Sequence, residues 1–190
     1  MKTALSLLAM ACSLSGGVIY IISVFKGSAR PHRITWLLWA ILGVVYFLSA
    51  IRSNGNVIYT FASFIQPFII FLLALKFGVG GKSRLDVISL AIAVFALVLL
   101  VFMRTPILSL LLCLFVDAIG ASLTIRKVLH DRGSEPRIMW LLSACGGAFA
   151  LLGLRDYQLA NLLFPSYIVI LGLITFALIK PQHHFVLFKR

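Results

Sequence analysis

One acidic residue, Asp117, lies deep within an apolar run of the sequence, roughly residues 106–125. It stands about eight residues from one end of the run, which is on the order of 12 Å along a helix and close to a bilayer midplane. A carboxylate at that depth costs several kcal/mol unless it is protonated, paired or hydrated. We therefore expect either a proton-coupling or solute-binding group, or a hydrogen-bond anchor between helices, with partners such as Tyr20, Ser13 or Gln66.

Other polar and aromatic side chains in the apolar runs could share a site with Asp117. Gln66, Tyr20 and Trp39 are the residues that we expect to line a passage beside it. Pro67 and Pro165 fall inside predicted helices, where each removes a backbone donor and leaves a carbonyl without its helical partner. Such kinks either expose polar groups to a pocket or are satisfied by neighbouring helices, and both alternatives stay open.

Two pairs of small residues are spaced for close helix packing. Ser13 and Gly17 are four residues apart, as are Ser143 and Gly147. Small side chains at this spacing let two helix backbones approach each other. We predict that these four residues serve packing, with a passage that requires small side chains as the alternative.

Soluble-type catalytic chemistry is not indicated by any motif. The three cysteines, Cys12, Cys113 and Cys145, are odd in number and form no CxxC pair, so we expect free thiols rather than a disulfide or zinc site. The sequence contains no P-loop, GxSxG or HExxH motif. We predict no enzyme activity, catalytic residue, metal site or cofactor, and we expect His32 to be solvated in a cationic loop.

The composition points to a membrane protein. The chain has 190 residues, of which 62% are hydrophobic and 12% are charged, and its mean hydropathy is +1.09. Soluble domains carry about 25% charged residues. The net charge of +12 comes from basic residues that lie almost entirely between apolar runs, a pattern typical of membrane topology rather than of nucleic-acid binding. The predicted partner is the lipid bilayer, and a homo-oligomer is left open.

Seven apolar segments are long enough to span a membrane as helices, and they predict an all-α polytopic protein. They are roughly residues 3–25, 34–51, 57–76, 85–102, 106–125, 138–154 and 161–180. Thirteen of the 17 Lys and Arg residues then fall on one side, and four fall on the other. The positive-inside rule places the N-terminus outside and the C-terminus in the cytoplasm, in a cell inner membrane.

An internal repeat relates the first three spans to the last three. The stretch from Pro31 to Trp36 matches Pro136 to Trp140 with one residue deleted, and both tryptophans are followed by Leu-Leu. The offset of 104 residues between the two tryptophans also aligns Lys76 with Lys180. We predict a first three-helix repeat over 1–84, a connector helix over 85–105, and a second repeat with a short cytoplasmic tail over 106–190. One intervening helix makes the two halves parallel in the membrane.

The sequence resembles the PQ-loop/SWEET superfamily of 3+1+3-helix membrane proteins. Residues 26–36, KGSARPHRITW, are similar to the KGxxxPHR[IF][ST]W motif of a family of uncharacterised bacterial integral membrane proteins. That family also carries Asp-Ala-x-Gly followed by Arg-Lys, matched here by residues 117–120 and 126–127. The resemblance covers nearly the whole chain and implies the 3+1+3 architecture.

The repeat and the isolated acid lead to one functional expectation and one alternative. We expect a small transporter or facilitator for a small, mostly neutral solute, proton-linked through Asp117. PQ-loop proteins usually carry a Pro-Gln pair late in helix 1 or helix 5, and neither helix contains one here. That difference favours the alternative, a non-transporting accessory or assembly protein whose polar residues are structural.

Overall fold

The chain folds into α-helices joined by short connections. The computed structural model describes residues 2–52, 57–102, 105–154 and 156–180, and within these ranges the only β-type pairing is one isolated bridge between His32 and Val79. The described helices are α1 (Lys2–Phe25), α2 (Arg33–Arg52), α3 (Val57–Phe77), α4 (Arg84–Phe102), α5 (Pro106–His130), α6 (Arg137–Leu152) and α7 (Leu159–Leu178). The all-α prediction is confirmed.

Helix bounds follow hydropathy closely, with one exception. Six helices begin and end within two residues of the predicted limits, whereas α5 continues five residues beyond the predicted end at residue 125. Its last turns contain Arg126 and Lys127, which are good helix formers with long apolar stems. Hydropathy marks where the apolar run stops, but the backbone helix continues into the basic segment.

Four of the described helices are long and apolar enough to cross a membrane: Lys2–Phe25, Arg84–Phe102, Ile107–His130 and Asn161–Leu178. The apolar parts of α2, α3 and α6 that the structure describes in full are shorter. Large apolar side chains point outward along these helices, for example Val18 on α1 and Phe95 on α4. An apolar exterior of this kind suits a lipid environment and would be costly in water.

The two chain segments α1–α3 and α5–α7, here called the two helix groups, contact each other along two seams. Helix α3 packs between α1 and α2, and α7 packs between α5 and α6. Between the groups, α1 contacts α6 and α2 contacts α5, while α4 lies against α5 and touches α2. Buried hydroxyls reinforce the α2–α5 seam: Thr35 donates to the carbonyl of Gly120 (2.7 Å), and Thr124 donates to the Thr35 hydroxyl (3.1 Å).

Glycines allow the closest helix approaches. A Cβ added at Gly17 in α1 would lie 2.7 Å from Gln66 Cγ in α3. One added at Gly147 in α6 would lie 2.9 Å from Val169 Cγ2 and 3.0 Å from the Pro165 carbonyl oxygen, both in α7. Because a backbone carbonyl and a branched side chain cannot easily give way, a larger residue at Gly147 would push α6 and α7 apart.

The segment between α3 and α4 is tied to the start of α2. The Val79 amide donates to the Pro31 carbonyl, and the Arg33 amide donates to the Val79 carbonyl, both at 2.9 Å. Gly80 then adopts a φ of 78°, and Gly81 one of 92°. These left-handed conformations favour glycine because a side chain would collide with the backbone.

Candidate functional site: a cavity at Asp117

Asp117 in α5 is held by two hydrogen bonds from other helices. Trp39 Nε1 in α2 donates to Asp117 Oδ1 at 3.0 Å, and the Tyr167 hydroxyl in α7 donates to the same oxygen at 2.7 Å. Asp117 is only 6% exposed. No Lys or Arg of the described ranges lies within ion-pair distance of it. Asp117 thus joins three helices without a balancing positive charge.

A cavity of about 130 Å³ opens beside Asp117, among α1, α2, α3, α5, α6 and α7. This volume is close to the ~150 Å³ of an engineered protein cavity that holds benzene. Residues expected from the sequence that line it are Ser13, Trp39, Gln66, Pro67, Asp117, Ser143 and Gly147. The structure therefore brings together most of the residues that the sequence analysis singled out.

Polar atoms remain available on the cavity wall. Both bonds to Asp117 end on Oδ1, and Oδ2 accepts none from the described residues. Within the described residues, Tyr46 Oη is the only buried side-chain polar atom without a partner. Asp117 and Tyr46 both line the cavity. Oδ2 and the Tyr46 hydroxyl can each bind a polar group placed in the cavity.

Aromatic rings form much of the remaining wall. Trp36 and Trp140 line the cavity with Trp39, and their ring centroids lie 5.0 Å and 6.0 Å from that of Trp39 in edge-to-face arrangements. Tyr46 packs on Phe164 with centroids 4.8 Å apart. Locked rings of this kind offer flat apolar faces with little conformational freedom to lose on binding.

Gln66 meets Ser13 rather than Asp117. The Ser13 hydroxyl donates to Gln66 Oε1 at 3.2 Å, which links α1 to α3. The Gln66 side chain still lines the cavity. Its contact with Ser13 aims the amide toward the space between the two helix groups.

Tyr20 does not contact Asp117, contrary to our expectation, and it is not among the residues that line the cavity. It is fully buried, and its hydroxyl donates to Glu135 Oε1 at 2.7 Å. Trp36 Nε1 donates to the same hydroxyl at 3.2 Å. Tyr20 therefore belongs to a second polar cluster, nearer the predicted cytoplasmic ends of the helices.

Glu135 is the centre of this second cluster and was missed by sequence reasoning. It is 0% exposed, although it lies in the connection between α5 and α6. Its Oε2 accepts from Trp140 Nε1 at 3.1 Å, and its Oε1 forms an ion pair with Lys127. The available signal was its position directly before Pro136 in the repeated stretch, but hydropathy places the whole segment outside the apolar runs.

His32 is buried, so the expectation of a solvated histidine is wrong. Its Nε2 lies 3.3 Å from Asp86 Oδ1, while the Asp86 carboxylate also accepts from the Gly81 and Ser83 amides at 2.7 Å and 3.1 Å. Burial lowers the pKa of His32 below its ordinary value. The Asp86 charge opposes this change, but the loss of hydration prevails because the ring is enclosed.

The remaining predicted residues occupy structural positions. Pro67 lies inside α3 and lines the cavity, whereas Pro165 lies inside α7 with its carbonyl against Gly147. The Ser143 hydroxyl lies 3.9 Å from the Met139 sulfur. Cys12, Cys113 and Cys145 are free thiols. Over the described ranges, no three metal-ligating side chains come together.

Compared with protein-family models, curated proteins and solved structures, the chain matches none.

Proposed function

We propose that this protein is a small integral membrane transporter or facilitator for a small, mostly neutral solute, with Asp117 as its proton-linked group. The observation that carries the proposal is the cavity between the helix groups, which Asp117 lines and where its Oδ2 accepts no hydrogen bond from the described residues. The bilayer is the partner, and seven spans with a cytoplasmic C-terminus are part of the proposal.

The helix contacts support a repeat of α1–α3 in α5–α7. If α1, α2 and α3 are exchanged with α5, α6 and α7, the α1–α3 contact becomes α5–α7, and α2–α3 becomes α6–α7. The two seams, α1–α6 and α2–α5, also exchange with each other. This is the pattern expected of two parallel halves related by an axis along the membrane normal. The cavity then lies between the halves, where a rocking motion would expose it to each side in turn.

A neutral solute fits the charge balance of the cavity. An ionised Asp117 without a nearby cation would be costly in a low-dielectric interior, and a bound proton removes that cost. The protonated acid donates one hydrogen bond and still accepts others, which suits a solute with hydroxyl or amide groups. The cavity volume limits the solute to about the size of a single six-membered ring.

The aromatic wall supports the same solute class. Trp36, Trp39 and Trp140 present ring faces and edges against which a flat solute with one apolar face would pack. The Tyr46 hydroxyl supplies a further polar contact. Fold resemblance alone does not choose between sugars and other small polar molecules, so the solute is defined here by size and polarity.

Uptake into proteoliposomes tests the proposal. The purified protein would be reconstituted, and a panel of radiolabelled neutral solutes with five to seven heavy atoms would be offered with and without an inward proton gradient. We expect uptake of at least one solute by the wild type and its loss in Asp117→Asn. Asp156→Asn is the matched control because Asp156 is an exposed aspartate away from the cavity. Equal uptake by Asp117→Asn and the control would remove Asp117 from the mechanism.

A second candidate is a non-transporting accessory or assembly protein. The observation that favours it is the structural use of the buried polar residues, since Asp117 ties three helices together and Glu135 anchors a connection. Under this alternative, no solute of the panel is taken up. Asp117→Asn would then lower the unfolding temperature without any transport defect to accompany it.

A further inference from the structure

A second pocket, of about 570 Å³, lies between the start of α4 and the end of α5. It is separate from the Asp117 cavity. Its wall includes His32 and Asp86 on one side and Arg126, Lys127 and His130 on the other. All of these residues are at the predicted cytoplasmic ends of their helices.

The part of the pocket wall that α5 forms carries a positive charge that no described residue pairs with. Asp86 is already engaged by His32 and two backbone amides, and Lys127 is already paired with Glu135. The side chain of Arg126, by contrast, is exposed and makes no hydrogen bond or ion pair with any residue that the structure describes. Its guanidinium is therefore free to bind an anion, and five donors in a planar fork suit the oxygens of a phosphate.

Apolar side chains border this charged pocket. Leu129, which lines it, is 54% exposed, and Val79 and Leu123 also line it. Helix α4 itself packs only against α5 and, more slightly, α2 among the described helices, which leaves most of its surface outward. A phospholipid has a phosphate for the cationic group and an acyl chain for the apolar groups of this pocket. A free phosphate ion matches only the cationic group.

The depth of Arg126 in the membrane agrees with a headgroup contact. It lies nine residues beyond Asp117 in α5, about 14 Å along the helix axis. If Asp117 is near the midplane, Arg126 is close to the edge of a hydrocarbon core that extends about 15 Å to each side. A long arginine side chain at that level reaches the lipid phosphates.

We propose that the pocket bounded by Asp86 and Arg126 binds the headgroup phosphate of an anionic phospholipid at the cytoplasmic membrane surface. Arg126 binds the phosphate, and the exposed side chain of Leu129 packs against the upper part of an acyl chain. Basic pockets between transmembrane helices on the cytoplasmic side are recurrent sites for such lipids. The site depends on membrane insertion but not on transport, so it stands or falls independently of the Asp117 cavity.

Native mass spectrometry of the purified protein in detergent tests the site. Dioleoyl-phosphatidylglycerol, dioleoyl-phosphatidylethanolamine and inorganic phosphate would be titrated as separate probes. We expect phosphatidylglycerol to bind more tightly than phosphatidylethanolamine, and Arg126→Gln to weaken phosphatidylglycerol binding about fivefold, from about 1 kcal/mol per basic residue near a charged surface. Millimolar phosphate should not displace the lipid.

Lys76→Gln is the matched control, because it removes one exposed positive charge from the same predicted side but outside the pocket. Arg126 has no hydrogen-bond or ion-pair partner among the described residues, so both variants should unfold at the wild-type temperature. Equal weakening by the two variants, or no weakening by Arg126→Gln, would overturn the proposal. Displacement by phosphate would identify a soluble-anion site instead, and equal binding of the two lipids would exclude selection for anionic headgroups.

Discussion

Replacing Glu135 by glutamine should destabilise the protein strongly although the side chain keeps its size. The Glu135 oxygens accept from Tyr20, Trp140 and Lys127, and the residue has no exposed surface. A glutamine amide has one acceptor oxygen in place of two, so a donor that now faces Oε1 or Oε2 must face an NH₂ group. The substitution also removes the negative charge beside Lys127.

The magnitude follows from the burial of the pair. Removing one member of a buried ion pair costs about 3–5 kcal/mol because the other charge stays uncompensated. Lys127 is slightly exposed and also donates to the Arg30 carbonyl, so we take the lower end, about 3 kcal/mol. For a chain of this length, that corresponds to a decrease of roughly 6–12 °C in unfolding temperature.

Thermal unfolding in detergent, followed by tryptophan fluorescence, measures this decrease, since Trp36 and Trp140 adjoin the cluster. Asp131→Asn is the control, because Asp131 is an exposed acid of the same connection and its loss should change stability by less than about 0.5 kcal/mol. Lys127→Met combined with Glu135→Gln should cost less than the two single changes added together. An unfolding temperature for Glu135→Gln equal to that of the control would refute the buried-anchor interpretation.

Two further predictions concern the segment that packs on α2. Because burial lowers the native pKa of His32, the folded state binds fewer protons than the unfolded state below about pH 6.5. The contribution of neutral His32 to the free energy of unfolding is therefore complete above that pH and is lost as the pH falls through the native pKa. Acidification should therefore lower the unfolding temperature more in the wild type than in His32→Gln, whereas exposed His130→Gln should follow the wild type. Gly80→Ala should cost about 2 kcal/mol more than Gly27→Ala in unfolding measurements. Both glycines have positive φ, but a Cβ at Gly80 would lie 2.1 Å from His32 Nε2, and one at Gly27 meets nothing within 4 Å; equal costs would contradict this packing.

The helices were largely predictable from the sequence, and the connections were not. In six cases the ends of an apolar run predicted the helix limits to within two residues. A run of about 20 apolar residues in lipid must satisfy its backbone hydrogen bonds internally, so the helix extends over the whole run. The connection between α5 and α6 contains charged residues and lies outside the predicted spans. Glu135 nevertheless lies inside the protein, because the Lys127 charge and two aromatic donors compensate its burial.

The residues of the candidate cavity were also predictable as a set, but not as pairs. Polar side chains in apolar runs must find partners inside a bundle, which selects Asp117, Gln66 and Ser13 from the sequence. Which partner each one meets depends on helix rotation and on the order in which helices pack. Asp117 bonds to Tyr167, which we had not expected to be its partner, because α7 packs against α5.

Two properties of this protein were determined by the sequence alone: its apolar helical character, and the placement of one acid far from any basic residue along its helix. Both are local, since hydropathy and helical rise act over about 20 neighbouring residues. Only the tertiary structure decided that Asp117 lines a cavity, that Glu135 is buried, and that Arg126 has no partner among the residues that the structure describes. These features arise where helices distant in sequence meet, so they depend on packing geometry that no single segment encodes.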